Sequence, residues 1–168
     1  MTLQIRPIEV TDAVAFADLF NQLLGETKFL LWEPGERPFD AGFWRTRIQD
    51  TIEEGANAFL IAEDEGRLLG FLRASTEVPR RRQHVAQIVI AIRQSAVGQG
   101  IGTQLFQAME AWARHKNLHR LELTVMTHNE RAIALYKKMG FEIEGTLLHN
   151  LLIDGQYVDE YAMAKMIT

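Results

Sequence analysis

The chain has 168 residues, 47% of them hydrophobic and 24% charged, with no cysteine and a formal net charge of −4. That is the size and balance of one domain with its own core, and it excludes disulfides, thiolate metal sites and a cysteine nucleophile. The acidic balance argues against general nucleic-acid binding and mildly suits a cationic substrate.

Leu3 to Ile8 reads as a first strand. Thr11 or Asp12 can cap a helix whose apolar face is Phe16, Leu19, Phe20 and Leu23. An aromatic and acidic loop follows, TKFLLWEPGERPFD, and Asp40 then caps a second helix with Trp44, Ile48 and Ile52 on one face and Gly55 after its end. AFLIAE and RLLGFLRA form a hairpin around Glu65-Gly66. After the loop STEVPRRRQH, VAQIVIAI is apolar enough for a strand buried on both faces. Ile101, Leu105, Ala108, Met109 and Trp112 mark a helix face, and LELTV is a further strand. Thr127 to Glu130 has capping-box spacing and opens a helix through Ala132, Leu135, Tyr136 and Met139, closed by Gly140. GTLLHNLLI and YVDEYAMAKM form a last hairpin around Asp154-Gly155. No apolar run is long enough to span a membrane, and MTLQIRPIEV lacks the apolar stretch of a signal peptide; the expected location is cytoplasmic. Together these elements predict one α/β domain over residues 1–168, a mixed β-sheet flanked by helices.

VGQGIGTQLF, Val97 to Phe106, carries three glycines at alternate positions between a buried strand and a helix. A purely steric turn accounts for one glycine more readily than for three. A helix start offers unpaired N–H groups and a positive dipole end, and glycine lets phosphate oxygens approach them. The Walker loop is excluded, because no Gly-Lys-Ser/Thr follows. The dinucleotide fingerprint needs G-x-G-x-x-G, and here Gly102 comes one residue early.

Three stretches resemble the GNAT superfamily of acetyl-CoA-dependent N-acetyltransferases: IRPIEVTDA its opening strand and turn, VIAIRQSAVGQGIGTQLF its pyrophosphate motif, and NERAIALYKKMGF its later Asn-to-Tyr helix. The resemblance implies that the backbone of Val97, Gly98, Gly100, Gly102 and Thr103 binds the coenzyme A pyrophosphate. It implies that the strand edge at Ile90 and Ile92 pairs with the pantetheine arm and that Asn129 hydrogen-bonds that arm. Tyr136 would stand near the thioester sulfur as the general acid. Val97 departs from the pattern, since the family usually has Arg or Gln there, so one side-chain donor to the pyrophosphate is missing.

Acetyl transfer to an amine needs a proton removed from the amine, a donor for the oxyanion and a proton for the departing thiolate. No general base is evident. Gln87 stands where some relatives carry a carboxylate, and Glu33, Glu36, Glu77, His84 and His128 are candidates that also read as ordinary polar residues. The loop from Phe29 to Phe39 usually shapes the acceptor site in this family, which makes Trp32, Glu33 and Glu36 candidate contacts for a cationic amine. PRRRQ reads as a solvated charge run. Asp159 and Glu160 are expected to face solvent or a partner subunit. The five histidines lack metal-ligand spacing, so no metal is expected. The expected acceptor is a small-molecule amine of polyamine, amino-acid or aminoglycoside type, with no nucleic-acid or membrane partner and a possible homodimer. The alternatives are a protein N-terminal acetyltransferase and a non-catalytic coenzyme-A-binding module.

Overall fold

In the computed structural model, which describes residues 2–167, the chain runs β1 (Leu3–Pro7), α1 (Ala13–Glu26), α2 (Ala41–Glu54), β2 (Ala58–Asp64), β3 (Arg67–Thr76), β4 (Val85–Ile92), α3 (Ile101–His115), β5 (Arg120–Met126), α4 (Glu130–Lys138), β6 (Glu142–Ile153) and β7 (Gln156–Met166). The strands make one sheet in the order β1-β2-β3-β4-β5-β7-β6. All neighbours are antiparallel except β4 and β5. This is the mixed sheet with terminal hairpins that the pattern of elements predicts.

Each face of the sheet carries its own core. On one, α1 and α2 bring Phe16, Phe20 and Trp44 onto Phe59 and Phe71. Phe16 meets Trp44 edge-on at 4.7 Å and Phe59 at 4.9 Å, a geometry that adds about 0.5–1.5 kcal/mol per pair beyond burial. On the other face, Leu105, Phe106 and Met109 of α3 pack with Tyr136 of α4 and with Phe141. Ile52 departs from the expected face of α2 and is exposed, so Trp44 and Ile48 anchor that helix in the core.

Local signals set most boundaries. The Asp40 carboxylate accepts from Phe43 N–H at 2.8 Å, and Gly55 ends α2 at φ 64°. Asp40→Ala is expected to cost about 1 kcal/mol and to lower the thermal midpoint by about 2–4 °C, measured by calorimetry. Asp12 behaves differently. A short 3₁₀ turn precedes α1, and the Asp12 carboxylate accepts from Glu9 N–H at 2.7 Å and pairs with Arg6 at 2.8 Å instead of capping the helix. At the start of α4 the cap is Asn129, not Thr127, with Oδ1 accepting from Ala132 N–H.

The feature that positions the site lies between β4 and β5. They pair for only three residues, from Val85↔Arg120 to Gln87↔Glu122. Beyond that point β4 continues along β3 to Ile92, and β5 continues along β7 to Met126. The sheet therefore forks. The expectation that β4 is buried on both faces is corrected here: Val89 is 50% exposed, because its face of the strand looks onto the open gap left by the fork.

Candidate active site

The fork opens into a cleft of about 800 Å³. One wall is the free edge of β4. Arg93 N–H donates to Leu69 O at 2.8 Å, so by strand alternation residues 91 and 89 also turn their backbone groups to β3. Ile90 and Ile92 then direct theirs into the gap.

The cleft passes through the sheet, and its two sides differ. Leu121, Leu123 and Val125 of β5 pack into the α3 and α4 core, so Glu122, Thr124 and Met126 point to the opposite face. Directly paired residues share a face. Glu160, the partner of Met126, therefore lies on the α1 and α2 side as well. That side is roofed by the segment after α1, from which Phe29, Leu30 and Leu31 reach the cleft. The other side is walled by α4, through Asn129, Ala132, Leu135 and Tyr136.

At the mouth of the α4 side stands the glycine turn. Gly98 and Gly100 have φ 78° and 80°, left-handed conformations that favour glycine. Gln104 N–H donates to Gly100 O at 3.1 Å, the first bond of α3. The N–H groups of Ile101, Gly102 and Thr103 precede it and are the orphan donors of a helix start. Gly102 is small for a second reason: a Cβ there would lie 2.7 Å from Leu135 Cδ2, so it also lets α3 approach α4. Val97 lines the cleft. A cation stands close to this turn that the sequence does not place there. Lys138 Nζ donates to Thr103 Oγ1 at 3.3 Å and so places an ammonium at the first turn of α3.

Asn129 serves two needs. Its Oδ1 caps α4, while its amide nitrogen has no acceptor among the described residues and Asn129 lines the cleft. Tyr136 is buried and packs edge-on to Phe106 at 5.7 Å. Its hydroxyl meets no hydrogen-bond partner among the described residues, and burial pushes its phenol up to about 12.

The loop residues Trp32, Glu33 and Glu36 stand outside the cleft wall. The Trp32 ring stacks under Arg37 at 4.8 Å and meets Phe39 edge-on. The Glu36 carboxylate accepts from Glu33 N–H at 3.0 Å and shapes the turn. Arg82 of the expected solvated charge run pairs with Glu77 and Glu122. The expectation for Glu160 is corrected. It is only 9% exposed and lines the cleft, because β7 carries it inward opposite Met126. Asp159 alternates away, and its Oδ1 accepts from His149 N–H at 2.8 Å.

A sequence model of the acetyltransferase (GNAT) family matches residues 22–141, well over half the chain. The L-amino acid N-acetyltransferase AaaT of Escherichia coli K12 is 36% identical over 127 residues, covering 73% of this chain and 75% of that protein. Spermidine N(1)-acetyltransferase of the same organism is 32% identical over 160 residues, covering 93% and 81%. Among solved structures, a GNAT-family acetyltransferase from Streptococcus pneumoniae superposes with a TM-score of 0.94 at 27% identity, over 99% of both chains.

Proposed function

The chain belongs to the GNAT family of acetyltransferases, and from that premise we propose that it moves the acetyl group of acetyl-CoA to a primary amine of a small molecule. The observation that carries this reading is the fork: a cleft open through the sheet, with a helix start of unpaired N–H groups on one side and an acidic, partly apolar chamber on the other.

The residues present fit the coenzyme. The orphan N–H groups of Ile101, Gly102 and Thr103, with Lys138 beside them, suit the pyrophosphate. The free backbone groups of Ile90 and Ile92 suit the amides of the pantetheine arm, as in strand addition, and the Asn129 amide adds a donor. Acetyl-CoA supplies an acyl group activated as a thioester. The protein's part is orientation and proton control. A backbone N–H on the β4 edge stabilises charge that builds on the carbonyl oxygen. Tyr136, which keeps its proton throughout the physiological range, presents an O–H to the departing sulfur. The relatives named for free amino acids and for spermidine support a small acceptor.

Coenzyme A release measured with spermidine, free L-amino acids, kanamycin and an alanine-terminated hexapeptide tests the reading. Turnover of at least one small amine is expected. Turnover of the peptide alone makes the protein an N-terminal acetyltransferase. Acetyl-CoA binding with no turnover makes it a non-catalytic module.

Acetyl-CoA at 100 times its dissociation constant is expected to add about 2.7 kcal/mol of stability, a thermal shift of roughly 5–10 °C for a domain of this size. NAD is expected to leave the midpoint unchanged. A shift with NAD and none with acetyl-CoA would overturn the assignment of the glycine turn.

A further inference from the structure

Three carboxylates line the cleft: Glu26, Glu122 and Glu160. Two are committed to the protein. Glu26 accepts from the Gln22 side chain at 2.7 Å and from Gln94 N–H at 2.9 Å, tying α1 to the end of β4. Glu122 is held by Arg120 at 2.9 Å and Arg82 at 2.7 Å, and those ion pairs keep its carboxyl below the ordinary range despite burial. It sits at the base of the fork, locked as an anion.

Glu160 differs in its partners. It is the most buried of the three, yet no cation among the described residues pairs with it. Asn150 Nδ2 donates to Oε1 at 2.7 Å. Oε2 has no partner among the described residues, and it is not sealed in, since the Trp44 indole nitrogen alone is both enclosed and unpartnered among them. Oε2 therefore touches the open cleft. The supporting Asn150 sits in an irregular stretch of β6, where the register with β7 shifts between Leu147 and Leu151 and His149 takes φ 52°. A largely buried carboxylate with one neutral donor is under-compensated, and an arriving ammonium supplies the missing charge.

Resting on the acetyltransferase reading above, we infer that Glu160 receives the acceptor's ammonium and takes its first proton. Its place fits the task. Glu160 stands on the α1 and α2 side of the fork, and Tyr136 on the α4 side, so the proton acceptor faces the incoming amine and the proton donor faces the leaving sulfur. The protons and electrons balance. The ammonium gives one proton to the Glu160 carboxylate. The freed lone pair attacks the thioester carbonyl carbon, forming C–N, and C–S breaks with its electron pair going to sulfur. Tyr136 gives its proton to that sulfur and regains one from the nitrogen, which ends as a neutral amide. Glu160 returns its proton to water.

The test uses the full chain and the fastest amine of the panel above. Glu160→Gln keeps the size of the side chain and removes its charge. kcat/KM for the amine is expected to fall about 10²–10⁴-fold, with the acetyl-CoA dissociation constant, read by titration calorimetry, unchanged within about twofold. The residual rate should rise about tenfold per pH unit below the amine's own pKa, because only amine already free of its proton then reacts. A kcat/KM within about threefold of wild type, or a loss matched by lost acetyl-CoA affinity, would overturn the assignment. If the Gln variant does not fold, Glu160→Asp retains the charge but withdraws it by one methylene. It should raise the amine KM with acetyl-CoA affinity intact, and an unchanged amine KM would sink the role. Wild-type protein that turns over no amine refutes the enzymatic reading itself and this inference with it. Wild-type turnover matched by the Gln variant refutes only the role of Glu160.

Discussion

Tyr136→Phe is expected to lower kcat by about 10²–10⁴-fold, the usual contribution of a positioned general acid, and to leave acetyl-CoA affinity within about twofold. The substitution removes one hydroxyl. The ring stays in place, packed edge-on to Phe106 at 5.7 Å with Phe141 beyond it. The hydroxyl has no hydrogen-bond partner among the described residues, so its loss leaves no orphaned group among them. Burial holds the phenol at about 12, above the ordinary thiol value of about 8.5, so proton transfer to a thiolate in water would run uphill. The same dry wall also raises the basicity of a thiolate, and positioning does the rest. A folded Phe variant with wild-type kcat at saturating amine and acetyl-CoA would remove Tyr136 from any rate-limiting step.

The same residue gives a stability signature. Its folded pKa of about 12 lies above its unfolded value of 10.0. The unfolded chain therefore releases this proton first as pH rises. The stabilisation is full below pH about 10 and is lost between about 10 and 12, amounting to roughly 2–3 kcal/mol. Relative to its own neutral-pH value, the Phe variant should lose less stability than wild type over that window in denaturant titrations.

The helices, the hairpins and the glycine turn were legible in the sequence because each rests on local chemistry. Asp40 and Gly55 mark the ends of α2 by capping and by φ alone. Glu65-Gly66 and Asp154-Gly155 turn as expected because all four residues take positive φ. Asn129 and Tyr136 were singled out by the family resemblance of this helix, since spacing alone reads Tyr136 as a core aromatic. What was not legible depends on which strands separate. Nothing local in VAQIVIAI says that β5 leaves it after Gln87, so the exposure of Val89 and the passage through the sheet are tertiary facts. Glu160 was hidden for the same reason. Alternation puts Asp159 and Glu160 on opposite faces, but only the pairing of Met126 with Glu160 tells which one faces the fork. A similar limit applies to Lys138. Its place in the last turn of α4 reads as a dipole partner, and its approach to Thr103 depends on how α3 and α4 pack. The placing of the acidic loop outside the cleft wall is a tertiary fact as well. Glu33 and Glu36 have the chemistry to meet a cation, but Glu36 is engaged with the loop's own backbone.

Gly100→Val is expected to weaken acetyl-CoA binding by about 10²–10⁴-fold and to lower stability by roughly 1–3 kcal/mol. The two losses have separate causes. Gly100 is the cap of α3 at φ 80°, a conformation that a β-branched residue adopts only under strain of about 1–3 kcal/mol. The strain is not a matter of crowding, since a Cβ at Gly100 would meet nothing within 4 Å. A chain relieving that strain must rotate the peptides on either side of Gly100, and those peptides aim the first N–H groups of α3. Hydrogen bonds to charged groups are worth about 1.5–3 kcal/mol each, so misdirecting two of them costs about 3–6 kcal/mol, or roughly 10²–10⁴ in affinity. Gly55→Val serves as the control. It ends α2 at φ 64° with open space around its Cα, so it carries the same kind of backbone strain outside the cleft lining, and it should leave acetyl-CoA affinity unchanged. Thermal melts and titration calorimetry on both variants separate the causes. If the Gly100 variant loses stability by the expected amount but binds acetyl-CoA as tightly as wild type, the turn is a steric device alone and the phosphates are held elsewhere.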